Sequence, residues 1–181
     1  MPTNPLPLPP AEYLMECLDY DRFSGLLTWK KRPRTHFSSH TIHKRWNTRY
    51  SGRQIGATIK NGYIVFGLNG KTLLAHRVAW KIYYGEDPPK FIDHANTNKK
   101  DNRIENLRAA TLSQNAHNVP KRKGTVSTHK GVYRDRTRWT VQIRVNGVLH
   151  YVGKFKDRDV AAAAYRVYAR SVYGEFFNPG K

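Results

Sequence analysis

The chain has 181 residues, a formal net charge of +19 and a pI of about 10.3. A balance that basic points to a polyanionic partner, foremost nucleic acid; the lack of any long apolar run or basic helix with an apolar face argues against a membrane protein. With 39% hydrophobic and 12% aromatic residues it can build real cores, which excludes a disordered basic tail.

The charge is unevenly spread. Residues 1–70 carry ten Lys/Arg against four acids, residues 71–118 eight against five, and residues 119–181 fourteen against four. The middle is the least basic stretch and the end the most, which suggests chemistry in the middle and much of the nucleic-acid grip at the end. Cys17 is the only cysteine, so neither an internal disulfide nor a cysteine-rich zinc module is available. Residues 1–10, proline-rich and without a basic start or an unbroken apolar stretch, read as a stiff extended arm rather than a signal peptide, and the expected location is inside the cell, not secreted.

In chain order, residues 11–20 place Tyr13, Leu14, Cys17 and Leu18 on one helical face. Ser24-Gly25 then turns into a strand over 26–29. Residues 30–53 carry Lys30, Lys31, Arg32, Arg34, Lys44, Arg45, Arg49 and Arg53 with little periodicity, and read as a basic loop following a phosphate backbone. His36, His40 and His43 fall in that loop. No cysteine joins them and no regular helix is expected to present them, so exposed histidines are expected there rather than a metal site.

From residue 55 the pattern becomes β: strands over 55–59, 63–68 and 71–75, with turns at Asn61-Gly62 and Asn69-Gly70, read as a meander. A helix over 76–84 follows, stopped by Gly85. In it His76 is expected to pack or hydrogen-bond, and Arg77 can reach a phosphate. Pro88-Pro89 forces an extended approach into Phe91-Ile92, a short strand that delivers Asp93 and His94. A polar loop leads to a returning strand over 104–108, and Thr111 or Ser113 caps a helix carrying Asn115. Pro120-Lys121-Arg122-Lys123-Gly124 breaks the chain. Beyond it come strands over 131–134, 138–145 and 149–155, with a turn at Asn146-Gly147, and an alanine-rich helix over 157–173 closed by Gly174. The expected organisation is an arm over 1–10, a first domain over 11–118 with its core at 71–118, a linker over 119–127 and a second domain over 128–181.

The chemistry concentrates at Asp93-His94. The carboxylate can hold a hard cation, and the imidazole, mostly neutral near pH 7, can take a proton from water. Such a pair is by itself more often a surface turn, and Asn102 and Asn106 could simply turn the backbone. Here, however, Asn106-Leu107-Arg108 begins thirteen residues after Asp93, and Asn115 follows nine further on. With Asp101-Asn102-Arg103-Ile104-Glu105, Ser113-Gln114 and the upstream Ala75-His76-Arg77, this set resembles the HNH nuclease family, whose core is the ββα-metal motif, and within it the phage-type homing endonucleases. The resemblance implies His94 as general base, Asn106 as the residue that holds its imidazole, and Asp93 and Asn115 as oxygen ligands of one divalent ion. That donor set favours Mg2+ or Mn2+ over zinc. His117 and Asn118 lie within a helical turn of Asn115 and can replace it.

Residues 129–178 resemble the APETALA-type (ethylene-response-factor) DNA-binding domain, through Lys130-Gly131-Val132-Tyr133, residues 138–144, Tyr151-Val152-Gly153-Lys154-Phe155, Ala161-Ala162-Ala163-Ala164-Tyr165 and Phe177-Asn178. In that family a three-stranded sheet enters the major groove. The implied contacts are Arg134, Arg136, Arg138, Trp139, Gln142, Arg144 and Tyr151, with Trp139 ambiguous between core and DNA face. Strand alternation sets Trp139, Val141 and Ile143 against Arg138, Thr140, Gln142 and Arg144.

The expectation is an α+β protein: a β-meander with short helices leading into a ββα-metal core, then a three-stranded antiparallel sheet packed on one helix. It would be a metal-dependent, homing-type endonuclease on double-stranded DNA, a monomer or homodimer with no membrane association, in a bacterial cytoplasm if phage-encoded. The alternative is a non-catalytic DNA-binding regulator with a decayed nuclease domain. Intact Asp93, His94, Asn106 and Asn115 argue against it.

Overall fold

The computed structural model describes residues 7–119 and 129–179. The first six residues of the expected arm and residues 120–127 of the expected linker lie outside them. The chain divides into two compact units between Ala109 and Ala110.

In the first unit, α1 (Ala11–Cys17) follows Pro10 and buries Ala11, Leu14 and Cys17. It is shorter than the periodicity suggests, because Leu18 enters β1 (Leu18–Asp21), which pairs antiparallel with β2 (Leu26–Trp29). The turn between them needs Gly25: φ is +74°, and a Cβ would lie 2.4 Å from the Arg103 amide nitrogen and 2.6 Å from the Asn102 carbonyl carbon. The β1–β2 turn is thereby packed directly against the loop carrying Asn102.

The expected basic loop over 30–53 contains a helix, α2 (His40–Tyr50), capped by the Ser39 hydroxyl, which accepts from the Ile42 amide. It escapes an aliphatic-periodicity reading because its inner face is aromatic and polar: His43, Trp46, Asn47 and Tyr50 are half-buried and the other positions exposed. Trp46 meets Trp29 edge-on at 5.0 Å. Asn47 accepts from the Arg32 amide and donates to its carbonyl. Arg32 itself is buried, donating to Tyr13 Oη at 2.7 Å and lying over the Phe37 and Trp46 rings. It is a core residue, not a phosphate contact. His43 bonds the Arg32 carbonyl, and His36 pairs with Glu16 at 2.8 Å. Among the described residues no cluster of three or more His, Cys, Asp or Glu side chains is placed to hold a metal.

β3 (Ala57–Thr58), β4 (Ile64–Leu68) and β5 (Lys71–Leu74) form the meander in that order. Asn69 and Gly70 both take positive φ, 51° and 73°, the I′-type geometry that matches strand twist. Helix α3 (Ala75–Tyr84) ends on Gly85 at φ +75°. Leu14, Cys17, Leu27, Phe66, Leu73 and Val78 form the main core. A second cluster of Ala79, Trp80, Ile92 and Leu107 seats a short hairpin, β6 (Ile92–His94) and β7 (Leu107–Ala109). Residues 104–106, expected in the returning strand, form a 3-10 turn, and pairing starts only at Leu107.

The second unit opens with α4 (Leu112–Asn118), held by a capping box between Thr111 and Gln114. Lys130 Nζ donates to the carbonyls of His117 and Val119, Asn178 donates to the Asn118 carbonyl at 2.8 Å, and the His117 ring stacks on Tyr173 at 3.7 Å. These bonds explain why α4 groups with the C-terminal residues, whereas the sequence reading sets the boundary after it. β8 (Val132–Asp135), β9 (Arg138–Val145) and β10 (Val148–Phe155) form an antiparallel sheet with β9 central. Helix α5 (Arg158–Tyr173), capped by Asp157, lays Ala161, Ala162, Tyr165 and Ala169 on Val132, Val141 and Ile143. Small alanines on the helix allow that close approach.

Gly25→Ala tests the turn contact. Left-handed strain and overpacking together are expected to remove roughly 2–4 kcal/mol of unfolding free energy in urea titration. Gly52→Ala, also at positive φ but with nothing within 4 Å, is expected to lose only roughly 1–2 kcal/mol. Equal losses would show that the turn is not packed as described.

Candidate active site

The β6–β7 hairpin sets Asp93 directly across from Arg108 and His94 across from Leu107. Cross-strand pairs share a face, so Arg108 reaches Asp93 with both Nε and Nη2, at 2.9 and 2.7 Å from Oδ2. Both side chains are largely buried.

His94 is 4% exposed. Its Nε2 lies 3.2 Å from Asn102 Oδ1. A carbonyl oxygen can only accept, so Nε2 carries the proton and the ring lone pair is on Nδ1. Asn102, fully buried, is therefore the residue that sets the tautomer, and its own carbonyl accepts from Tyr20 Oη at 2.8 Å. This corrects the expected role of Asn106. The Asn106 Oδ1 accepts from the Asn96 amide and its Nδ2 donates to the Asp101 carbonyl, at 2.9 and 2.7 Å. Asn106 closes the 95–106 loop on itself rather than touching the imidazole. The loop is also strained: Thr97, β-branched, sits at φ +64°, its amide on the His94 carbonyl. That conformation costs roughly 1–2 kcal/mol, offset by the Asn96, Asn98 and Asp101 bonds around it. Arg103 grips Asp101 through Nε and Nη2 and holds its carboxyl down at about 2.

His76 and Tyr63 complete the surroundings. The His76 ring packs against His94 at 5.2 Å, nearly perpendicular, with Tyr63 at 5.0 Å from His76 and 5.9 Å from His94. His76 is buried and its Nδ1 has no hydrogen-bond partner. The expectation of a packing residue fits this geometry, but the thing it packs against is the catalytic candidate itself. Burial pushes His76 down to about 3, with His94 and Arg77 adding to the effect. Burial likewise holds His94 below the usual imidazole range, against the opposing pull of the Asn102 bond and of Asp93 and Asp101.

Arg77 does not face solvent for a phosphate. It is 9% exposed and donates to the carbonyls of Pro88 and Pro89, at 3.3 and 2.9 Å. It anchors the extended approach that delivers β6, a role invisible before the proline carbonyls are placed.

In the second unit, Asn115 lies on α4 with Oδ1 buried and without a hydrogen-bond partner. The alternatives carry other bonds: His117 stacks on Tyr173 and meets Ser113 Oγ at 3.1 Å, and Asn118 is bonded by Asn178.

On the sheet, the register separates the expected DNA contacts. Gln142 pairs with Tyr151, Arg144 with Leu149, Thr140 with Tyr133 and Lys154, and Arg138 with Asp135. These share the face turned away from α5. Tyr151, 59% exposed, and Tyr133, 40% exposed, stand on it. Trp139 packs against the helix-side core, and its cross-strand partner Arg134 lies over its ring at 5.6 Å on that same side. Arg134 and Trp139 are thus not on the outer face, and Arg136 sits in the β8–β9 turn at φ +51°. Tyr133 and Lys154 are outer-face residues that the sequence reading passed over. Counting two residues between paired strands would have found them.

Residues 73–117 match the family model for HNH endonucleases. The chain therefore carries an HNH endonuclease domain, running from β5 through α3 and the β6–β7 hairpin into α4. An uncharacterized HNH endonuclease of Acanthamoeba polyphaga mimivirus is 33% identical over 124 residues, covering 67% of this chain and 64% of that protein. The chain thus spans slightly less than two thirds of that relative's length. No solved structure gives a significant match.

The buried His76 makes a prediction about stability. The unfolded chain protonates it near its ordinary value of 6.5, the folded chain only near 3. Between those values the unfolded state binds more protons, so stability falls as pH drops through the window, by up to about 1.4 kcal/mol per pH unit. Urea midpoints measured from pH 7 to 4 are expected to show this slope, reduced by close to one proton in His76→Phe. An unchanged slope in that variant would place the ring in water.

Proposed function

We propose that the protein is a metal-dependent DNA endonuclease of the homing type, hydrolysing phosphodiester bonds at His94. The observation that carries the reading is the buried His94 imidazole, held by Asn102 in the tautomer a general base needs, inside an HNH endonuclease domain. In the reaction, Nδ1 takes a proton from water as the water oxygen bonds to phosphorus. The bond from phosphorus to the 3′ oxygen breaks and the departing oxygen takes a proton from solvent, leaving a 5′-phosphate and a 3′-hydroxyl, while His94 returns its proton to solvent. Asn102 holds the ring orientation, Asn106 holds the loop that carries Asn102, and Arg108 orients Asp93.

From the resemblance to the HNH family, Asp93 and Asn115 are assigned as the protein's oxygen ligands of one divalent ion. Hard oxygen donors of this kind suit Mg2+ or Mn2+, and the orphaned Asn115 Oδ1 supports it over His117 and Asn118. When bound, the ion would neutralise charge on the reacting phosphate.

The outer face of the β8–β10 sheet is assigned as an APETALA-type reader of double-stranded DNA, using Arg138, Gln142, Arg144 and Tyr151 with Tyr133. Arginine and glutamine forks suit base edges in the major groove, and the resemblance over residues 129–178 supports this face. No helix among the described residues is long and apolar enough to cross a membrane. One catalytic set per chain means that a monomer nicks, whereas a homodimer cuts both strands.

Two experiments test the reading. Supercoiled plasmid incubated with Mg2+ or Mn2+ is expected to be nicked or linearised, with His94→Ala slower by roughly 10²–10⁴-fold while still binding DNA. Binding without metal-dependent cleavage, across many DNAs, would favour the non-catalytic regulator instead. Separately, Arg144→Ala is expected to weaken binding by about 1–3 kcal/mol and to relax preference at a single base position in a selection experiment. Unaltered preference would remove the sheet as the reader.

A further inference from the structure

The first unit carries a charged surface that the proposed chemistry does not use. Helix α2 turns His43, Trp46, Asn47 and Tyr50 inward, and leaves Thr41, Lys44, Arg45, Thr48 and Arg49 exposed along the opposite face. Those five, with His40, line one shallow depression. At 100° per residue they fall in a single arc, so the separation of faces is a property of the helix and not of chance rotamers.

Among the described residues no carboxylate pairs with these cations. From Arg22 to Gly85, 64 residues, the chain has no Asp or Glu, against thirteen Lys and Arg. Ion pairs among the described residues of this unit lie elsewhere, such as Glu16 on His36, Asp87 on Lys81, Asp93 on Arg108, and Asp101 and Glu105 on Arg103. Where cations serve the fold, the structure provides partners, as it does for Arg32 and Arg77. Arg49 lies over the Tyr50 ring at 5.2 Å, a cation–π contact that draws on its charge rather than on its N–H donors. Arg45 and Arg49, four apart on one face, repel each other and slightly destabilise the helix. An external polyanion reverses that penalty.

We propose that this face of α2 is a second DNA contact, seated on the phosphate backbone of duplex DNA through Lys44, Arg45 and Arg49 and indifferent to base sequence. Thr41 and Thr48, short and polar between the cations, let the backbone approach and can donate to phosphate oxygens. The inference rests on the reading of the chain as a DNA-cleaving enzyme and adds to it a holding surface on the nuclease-bearing unit itself.

The test uses the full chain, in EDTA so that no cleavage intervenes, with fluorescein-labelled duplexes of unrelated sequence and anisotropy read across a salt series. Each phosphate contact contributes about 0.9 to the slope of log K against log salt. The triple variant Lys44→Gln, Arg45→Gln, Arg49→Gln is expected to flatten that slope by roughly 2–3 and to weaken every duplex alike. Its urea midpoint should equal or exceed that of the wild type, since only repulsion within the helix is lost. A charge-matched control, Lys31→Gln, Lys60→Gln, Lys71→Gln, alters exposed positions of the same unit off α2 and should change the slope less. Arginine or lysine swaps at the three α2 positions should keep it. An unchanged slope in the α2 variant, or an equal loss in the control, would overturn the proposal while plasmid cleavage left the enzyme reading intact. Absence of duplex binding by the wild type would overturn both. Stronger α2-dependent binding to single-stranded RNA or to phosphatidylserine vesicles than to duplex would overturn the choice of partner.

Discussion

The candidate site depends on keeping one imidazole buried, uncharged and in a single tautomer. A proton acceptor that competes with bulk water for protons is of little use, and one whose ring can turn presents the wrong nitrogen half the time. The fold answers both demands by packing. His76 and Tyr63 surround His94 with rings, which disfavours its charged form, and Asn102 offers an oxygen that only the protonated nitrogen can satisfy. Asn102 is in turn placed by the closure of its loop through Asn106 and by the Gly25 turn pressed against its backbone. Much of the first unit can therefore be read as support for the orientation of one ring.

A strongly basic composition says how many cations a chain has, not what they do. Here they divide into two kinds. Arg32 and Arg77 are buried and hydrogen-bonded within the fold, Arg32 on Tyr13 and Asn69, Arg77 through its two terminal nitrogens on proline carbonyls. Guanidinium suits this role because it is planar, weakly hydrated and able to satisfy several acceptors at once. The cations on α2 and on the outer face of the sheet stand at the surface instead. Only the second kind is placed for a salt-dependent grip on a polyanion such as DNA, so the net charge overstates the surface available for one.

Much of the secondary structure was legible in the sequence, because its signals are local. Asn69-Gly70, Asn146-Gly147, Gly85, Gly174 and the Thr111–Gln114 box act within a few residues and need no tertiary context. Helix α2 was illegible because its buried face consists of His43, Trp46, Asn47 and Tyr50, residues that do not register as an apolar stripe. At the site, the adjacency of Asp93 and His94 could be read directly. The division of labour between Asn102 and Asn106 could not: both are asparagines in one polar loop, and only the path of that loop decides which meets the ring. The same holds for Arg134 and Trp139. Their residue types suit DNA, but the two-residue turn at Arg136 fixes the register and sends both to the helix side.

The two kinds of exposed basic surface would suit different parts of one task. A sheet face that combines Gln142, Arg144 and Tyr151 can discriminate bases, because forked donors and acceptors match particular edges. A helix face of lysine, arginine and threonine cannot, since phosphates are the same at every step. An enzyme limited to the reader would search slowly and leave easily once displaced from its site. One limited to the phosphate contact would cut without choosing. Linking a non-selective contact to a selective one raises the local concentration of each at the DNA held by the other. The non-selective contact is also the more salt-sensitive of the two. Selectivity should therefore rise with ionic strength even as total affinity falls, an outcome that a single mixed surface, whose specific and non-specific contacts share the same cations, would not produce.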